Sequence, residues 1–187
     1  MLDHLVVAAA TLGEGAAWIE SRLGVAPGPG GRHETMGTHN RLLSLGPDHY
    51  LEVIAIDPQG RAPERPRWYG LDHPATREHL AKEPALIHWV ERRTDLEALA
   101  ARSREPLDIV PFERGAFRWR LTLTRDGGLP EGGLGPSYIA WEGETPARAL
   151  ADAGIRLLVL GAPDGEAVFE TPAGRRTLPW TRLPGRE

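Results

Sequence analysis

The chain has 187 residues, 41% hydrophobic and 26% charged, with a formal net charge of -4. That suits one domain of ordinary size or two small modules around a shared core, and it gives no electrostatic case for nucleic acid or an anionic membrane as partner. Cysteine is absent, which removes disulfides, thiolate metal sites and cysteine nucleophiles. With no signal-peptide pattern and no apolar run near the ~20 residues that span a bilayer, a cytoplasmic protein is expected.

Residues 3–9 read as a buried strand, a short apolar run that carries His4. A helix of about 12 residues follows. Thr11 caps it, Glu14 completes a capping box, Leu12, Ala16, Ile19 and Leu23 keep helical spacing, and Gly24 stops it. Gly28 to Asn40 is glycine-rich and polar and reads as a loop, with a positive φ at Gly37. Residues 41–45 and 49–56 then form two strands about a Gly46-Pro47-Asp48 turn. Residues 58–84 are a Pro-rich connector in which His73 and His79 are surface residues.

The order then repeats. Residues 86–92 form a strand carrying His88, Thr94 and Glu97 bracket a helix start, and 107–112 form a strand. Residues 117–124 alternate, with Phe117, Trp119, Leu121 and Leu123 on one face, as a half-exposed antiparallel strand does. Tyr138 to Trp141 close the repeat. Both halves therefore read β-α-β-β-β, module one about 1–57 and module two about 85–144. An appendage over about 145–180 follows: a short helix opened by Thr145-Pro146, then a hairpin about Pro163-Asp164-Gly165. The last several residues, rich in Arg and Pro, read as a loose tail.

Three residues stand out chemically. Glu52 lies in a strand with apolar neighbours on both faces, where a carboxylate is costly unless it is paired, protonated or metal-bound. A salt bridge to one of the many arginines is the plain alternative. His4 and His88 sit in equivalent apolar runs, which a pseudo-twofold would bring together. Two imidazoles and one carboxylate with open positions suit Zn, Fe, Mn or Ni, and such an ion polarises a carbonyl or stabilises an enediolate. In the same alignment Glu52 faces Ala140, which binds no metal. Glu142 shares that face, but two residues along a strand is about 6–7 Å, so a three-ligand site, or none, is favoured over a shifted four-ligand one. Tyr50 and Tyr138 face as Glu52 and Ala140 do and are expected to line a cavity. Trp89 and Trp141 are expected to point to the opposite face. His33 and His39 lie in the polar loop with Asn40, either in a turn-rich connector or on a rim that hydrogen-bonds a substrate.

Asp3-His4-Leu5-Val6-Val7, Gly-Gly-Arg-His at 30–33, Gly-Thr-His-Asn-Arg at 37–41 and Tyr50-Leu51-Glu52-Val53-Ile54-Ala55 together resemble the glyoxalase-like branch of the vicinal oxygen chelate superfamily. The first half carries the resemblance most strongly. It implies an α+β fold: paired βαβββ modules forming a curved, cup-shaped mixed sheet, here with a C-terminal helix–hairpin appendage. It also implies metal ligands on the first and last strands of each module, that is His4, Glu52 and His88, with Ala140 where a fourth would be. The superfamily holds metal-dependent isomerases, lyases, epimerases and dioxygenases, and metal-free proteins that only bind drugs. The departure at Ala140 speaks against glyoxalase I activity itself. Two main readings follow: a metal-dependent enzyme on a small oxygenated substrate, in which Glu52 doubles as catalytic base and His33, His39, Asn40, Tyr50 and Tyr138 contact substrate; or a metal-free binding or resistance protein. A third is an interaction module whose cup is filled by its own side chains. Pairing into a homodimer is common for such modules.

Overall fold

The computed structural model describes residues 1–183. In chain order the strands are β1 (Leu2–Ala8), β2 (Gly28–His33), β3 (Thr38–Ser44), β4 (Tyr50–Ile56), β5 (Ala85–Arg92), β6 (Leu107–Arg114), β7 (Phe117–Thr124), β8 (Ser137–Trp141), β9 (Arg156–Val159), β10 (Glu166–Thr171) and β11 (Gly174–Pro179). The helices are α1 (Leu12–Leu23), α2 (Pro74–Leu80), α3 (Leu96–Arg102) and α4 (Pro146–Ala149). Short 3-10 turns lie at Trp68–Gly70 and Pro130–Gly133.

Eight strands form one mixed sheet in the order β2-β3-β4-β1-β5-β8-β7-β6. β1 and β5 pair antiparallel at its centre, and each has a parallel partner on its outer side, β4 and β8. This is the expected α+β pair of modules, joined at their first strands. The sheet curls until its two outer strands meet: a Cβ on Gly31 in β2 would stand 2.7 Å from Cδ of Arg114 at the end of β6. The right-handed twist of the strands accumulates into this curl.

Alternation along the central strands sorts the core into two layers. Leu5, Val7, Leu51 and Val53 pack outward on Ile19 and Leu23 of α1 and on the appendage. Val6, Ala8, Ile54 and Val90 pack inward with Trp68, Tyr69, Trp119 and Ile139. Ile19 and Leu23 are fully buried, each contributing about 2 kcal/mol by area removed from water. Helix α1 has the expected ends: Thr11 Oγ1 accepts from Glu14 N–H, and Gly24 closes the helix at φ 79°.

The structure departs from the sequence reading in three segments. The segment 28–40 is not a loop but a ragged strand pair, β2 with β3, whose register slips between Pro29 and Arg32. Alternating polar residues and glycines hide such an edge from a hydrophobic pattern. The connector contains α2 and the 3-10 turn, and its His73 and His79 are half-buried rather than surface residues. The appendage has a third strand, β11, paired to β10 along its length; its Arg-rich face is solvated and only Leu178 is fully buried. The expected loose tail, after about 180, falls largely on 184–187, outside the described residues.

Candidate functional site

Four motif residues named from the sequence converge inside the cup. β1 supplies His4, β2 His33, β3 Asn40 and β4 Glu52, all nearly buried. They line a small cavity of about 30 Å³ together with Tyr50 and the aromatic walls Trp68, Tyr69, Trp119 and Trp141. That volume holds about one or two water-sized atoms.

Each polar group is aimed by a second one. His4 Nδ1 lies 2.8 Å from Asp3 Oδ1. Asp3 is fully buried and also accepts from Arg92 Nε at 2.7 Å and from Trp141 Nε1 at 3.0 Å. Burial alone would raise the Asp3 pKa; the bonds from His4 and Arg92 outweigh it and hold the carboxyl below the usual range. Asp3 therefore stays ionised, fixes the proton of His4 on Nδ1 and turns Nε2 toward the cavity. The His4 ring stacks on Tyr50 at 4.6 Å. His4 Nε2 ends 3.7 Å from Glu52 Oε2, and Asn40 Nδ2 donates to Glu52 Oε1 at 2.5 Å.

The orientation of Asn40 follows from its other partners. Its Oδ1 accepts from Gly31 N–H at 2.8 Å and from Arg114 Nη1 at 3.0 Å, so the amide nitrogen must face Glu52. Arg114 Nη1 also reaches His33 Nε2 at 3.2 Å. A guanidinium only donates, so His33 accepts on Nε2 and carries its proton on Nδ1, beside Thr38 Oγ1 at 3.1 Å. Burial pushes the His33 pKa down to about 4, against the pull of Glu52 and with the push of Arg114. His33 is thus a neutral, fixed member of the wall.

The paired glycines explain themselves here. A Cβ on Gly30 would sit 2.2 Å from Asn40 Oδ1 and 2.4 Å from Asn40 O, and one on Gly31 would strike Arg114. Only glycine lets β2 approach closely enough for module two's Arg114 to reach module one's His33 and Asn40.

The other expected site residues lie elsewhere. His39 alternates away from Asn40 and lines a shallow groove with Arg32 and Arg41 outside this cavity. Tyr138 does not line the cavity; half-exposed, it sits under the Arg93 guanidinium at 5.9 Å. The expected equivalence fails by register: His4 lies opposite Tyr50, whereas Tyr138 lies opposite Glu91, three residues past His88. Ser137, Ile139 and Trp141 consequently face inward, and Ala140 faces out, where it stands across from Arg120. Trp141 is therefore a cavity wall, a correction to its expected outward face; Trp89 does face outward, packing on Trp180.

His88 does not join the cavity either. Its Nε2 accepts the Ser137 backbone N–H at 3.1 Å, Nδ1 has no partner among the described residues, and burial pushes its pKa down to about 3. The β1–β5 pair itself keeps the expected symmetry, Val6 lying opposite His88 as Val90 lies opposite His4; the symmetry is lost one strand further out, where Ser137 stands beside Val90 as Glu52 stands beside Val6. This bears on the divalent ion that the resemblance implies. His4 Nε2 and Glu52 Oε2 face one another as two ligands would, with the carboxylate behind the imidazole that metal-bound histidines usually have. The third donor is committed to a backbone amide, and Arg114 occupies His33. Among the described residues no group of three or more His, Asp or Glu is placed to hold an ion. The residues present do not fit the expected His4–Glu52–His88 centre.

Sequence reasoning passed over Asp3, Trp68, Tyr69 and Arg114. Asp3 beside His4 was visible as a charge next to a ligand-type residue in an apolar strand. Arg114 was not, because its role depends on the two ends of the sheet meeting.

A cup of paired βαβββ modules with a polar floor and aromatic walls defines a small-molecule-binding protein of the vicinal oxygen chelate fold. The chain belongs to the glyoxalase-like domain family, whose model matches residues 2–173. No curated protein matches the sequence. Among solved structures it is similar to a hypothetical protein from Staphylococcus aureus, with 12% identity and a TM-score of 0.55 over 98% of this chain and 87% of that one. It is similar more loosely to methylmalonyl-CoA epimerase from Mycobacterium tuberculosis, at 21% identity and a TM-score of 0.45 over 80% and 91%. A hypothetical protein from Bacillus halodurans C-125 gives 14% and 0.46 over 79% and 96%. The first supports the fold; the looser two add nothing to it. No helix among the described residues is long and apolar enough to cross a membrane.

Proposed function

We propose that this protein binds a small oxygenated molecule over His4 and Glu52 and moves a proton on it, in the manner of an isomerase or lyase. One observation carries the reading. Two groups capable of proton transfer, each aimed by its own buried partner, face the same cavity 3.7 Å apart. Asn40 commits Oε1 of Glu52 and leaves Oε2 toward the cavity; Asp3 commits Nδ1 of His4 and leaves Nε2 there.

With a carbonyl compound in the cavity, Glu52 takes a proton from the carbon beside the carbonyl. Charge then develops on the substrate oxygen, close to the Arg114 guanidinium, which is already held in place by His33 and Asn40. Glu52 then returns that proton at a neighbouring atom, and His4 Nε2, its lone pair held toward the cavity by Asp3, accepts a hydrogen bond from a hydroxyl of the substrate. Protons balance at Glu52, since the one taken is the one returned. The aromatic walls exclude water from the intermediate. No step is assigned to a metal ion.

A second reading, a binding protein that performs no chemistry, is favoured by those same aromatic walls. The experiment that separates them is incubation in deuterium oxide with small 2-oxo and 2-hydroxy acids and 1,2-dicarbonyls, followed by proton NMR. Exchange at the carbon beside the carbonyl, lost in Glu52→Gln, supports proton transfer. Ligand-induced thermal stabilisation with no exchange supports binding alone.

A further inference from the structure

Some polar groups of the inner cavity are engaged and others stay open. Asp3, His33 and Asn40 commit their hydrogen bonds to other residues of the protein. Two acceptors stay open, Oε2 of Glu52 and Nε2 of His4, 3.7 Å apart. Two hydroxyls stay open as well. Tyr50 and Tyr69 line the same cavity, are 4% and 3% exposed, and make no hydrogen bond through their oxygens among the described residues. A buried hydroxyl without a partner gives up its bonds to water and gains none in the fold. Two such groups in one cavity mark acceptor positions for a ligand.

Packing holds both rings in place. Tyr50 stacks on His4 at 4.6 Å. Tyr69 stands between Trp68, stacked at 5.7 Å, and His88, tilted at 5.3 Å. Its backbone is held at φ 59°, a left-handed conformation that side-chain-bearing residues avoid and that clusters at functional sites. On one flank Gly70 N–H donates to Gly127 O at 2.8 Å; on the other Arg67 pairs with Asp72 at 2.7 Å. After burial, the charges that push the Tyr69 phenol up are those of Glu52 and Asp3, which sets its hydroxyl toward the inside of the cup. Burial and the same two carboxylates push the Tyr50 phenol up, and Tyr69 adds to the push, so the two hydroxyls are neighbours.

The open groups are complementary to one arrangement of atoms. A carbonyl oxygen has two lone pairs and takes a hydrogen bond from each tyrosine. The carbon next to the carbonyl carries a hydroxyl, which donates to His4 Nε2, and the hydrogen that Glu52 removes. Both hydrogens belong to one carbon centre, which suits acceptors 3.7 Å apart. As Glu52 Oε2 bonds to the proton, the C–H electron pair moves into the carbon–carbon bond and the carbonyl pair onto oxygen. Both phenols keep their protons, and their hydrogen bonds strengthen on the new oxyanion. Among the lining residues only Arg114 and Trp141 are not buried, so the rest of the molecule leads out between them.

We infer that Tyr69 is a further catalytic residue, paired with Tyr50 as donor to the substrate's carbonyl oxygen, and that the substrate is a 2-hydroxy carbonyl compound. The assignment rests on the reading of Glu52 as the base.

The probe is hydroxyacetone carrying carbon-13 at its carbonyl, titrated into the protein by carbon-13 NMR. Saturable binding to the wild type should move the carbonyl resonance downfield, as hydrogen-bond donors do. Methoxyacetone, whose hydroxyl is blocked, should bind roughly tenfold more weakly or worse. Tyr69→Phe and Tyr50→Phe should each weaken hydroxyacetone roughly three- to tenfold and remove part of the downfield shift. Tyr138→Phe, outside the cavity, should change neither. In urea, Tyr69→Phe without ligand should unfold at the wild-type midpoint or above it, because the hydroxyl it loses is unbonded. No saturable binding to the wild type, or equal binding of methoxyacetone, overturns the substrate class. An unchanged shift in Tyr69→Phe, or a lowered urea midpoint, overturns the donor role. These readouts need no turnover, so failure of the Glu52 reading, seen as isotope exchange undiminished in Glu52→Gln, is distinguishable from failure of this one.

Discussion

Lowering the pH from 7 to 5 should destabilise this protein through its buried histidines. His33 and His88 are held neutral in the fold, with pKa values pushed from 6.5 down to about 4 and about 3. Burial is the first cause in both. The unfolded chain takes up these protons first, so stability present above pH ~6.5 is lost as the pH falls toward the folded values. Linkage gives roughly 2 kcal/mol per histidine between pH 7 and 5, hence about 4 kcal/mol for the pair, a large share of a usual total of about 5–15 kcal/mol. His39, half-buried and also lowered, adds in the same direction. The carboxylates contribute little in this window, because Asp3 is held below the usual range and Asp57, bonded to Arg32, sits at about 2. The assay is urea unfolding at pH 7, 6 and 5, for the wild type and for His33→Gln. The variant should lose about 2 kcal/mol of the pH-dependent fall, with an unchanged urea slope. A wild-type midpoint flat across the range, or an identical fall in the variant, would refute a neutral His33 accepting from Arg114.

Three further outcomes follow from the same geometry. Asp3→Asn leaves Arg92 without its buried counter-charge and His4 without its anchor, and should cost about 3 kcal/mol by chemical denaturation; a loss under 1 kcal/mol would mean the three-partner carboxylate is not formed. Gly30→Ala should destabilise by about 1–3 kcal/mol and more than Gly31→Ala, since the first clash is with Asn40 backbone and the second with the flexible stem of Arg114; the reverse order in urea midpoints would contradict the packing. Protein prepared without tag or chelator should carry no divalent ion at one per chain by elemental analysis, and its melting temperature should not move with EDTA. Stoichiometric metal, lost in His4→Ala, would restore the three-ligand reading.

How far the sequence reached is clear from particular residues. His4, His33, Asn40 and Glu52 could be named because each stands out against its segment: a titratable group in an apolar strand, or a short polar motif between glycines. Local composition carries that information. What failed was carrying the symmetry out to the last strand of the second module. The echo of His4 in His88 holds in the β1–β5 pairing, yet a three-residue difference in register between β5 and β8 sets Ser137 against His88 and turns Tyr138 out of the cavity. Register is fixed by pairing across strands, and no residue within a strand announces it. Arg114 and Tyr69 escaped for a related reason. One acts across the seam where the curled sheet meets itself. The other sits in a connector with no periodicity, marked only by the glycine that follows it.

The central claim is that Glu52, aimed by Asn40 and opposed by His4, moves a proton on a bound carbonyl compound. The direct measurement is the rate of deuterium incorporation beside the carbonyl for wild type, Glu52→Gln and Asp3→Asn, on the first compound that stabilises the wild type thermally. The expected result is exchange in the wild type, a fall of about 10²–10⁴-fold in Glu52→Gln, and a smaller fall in Asp3→Asn, with the compound still bound by both variants. Exchange at wild-type rate in Glu52→Gln would contradict it.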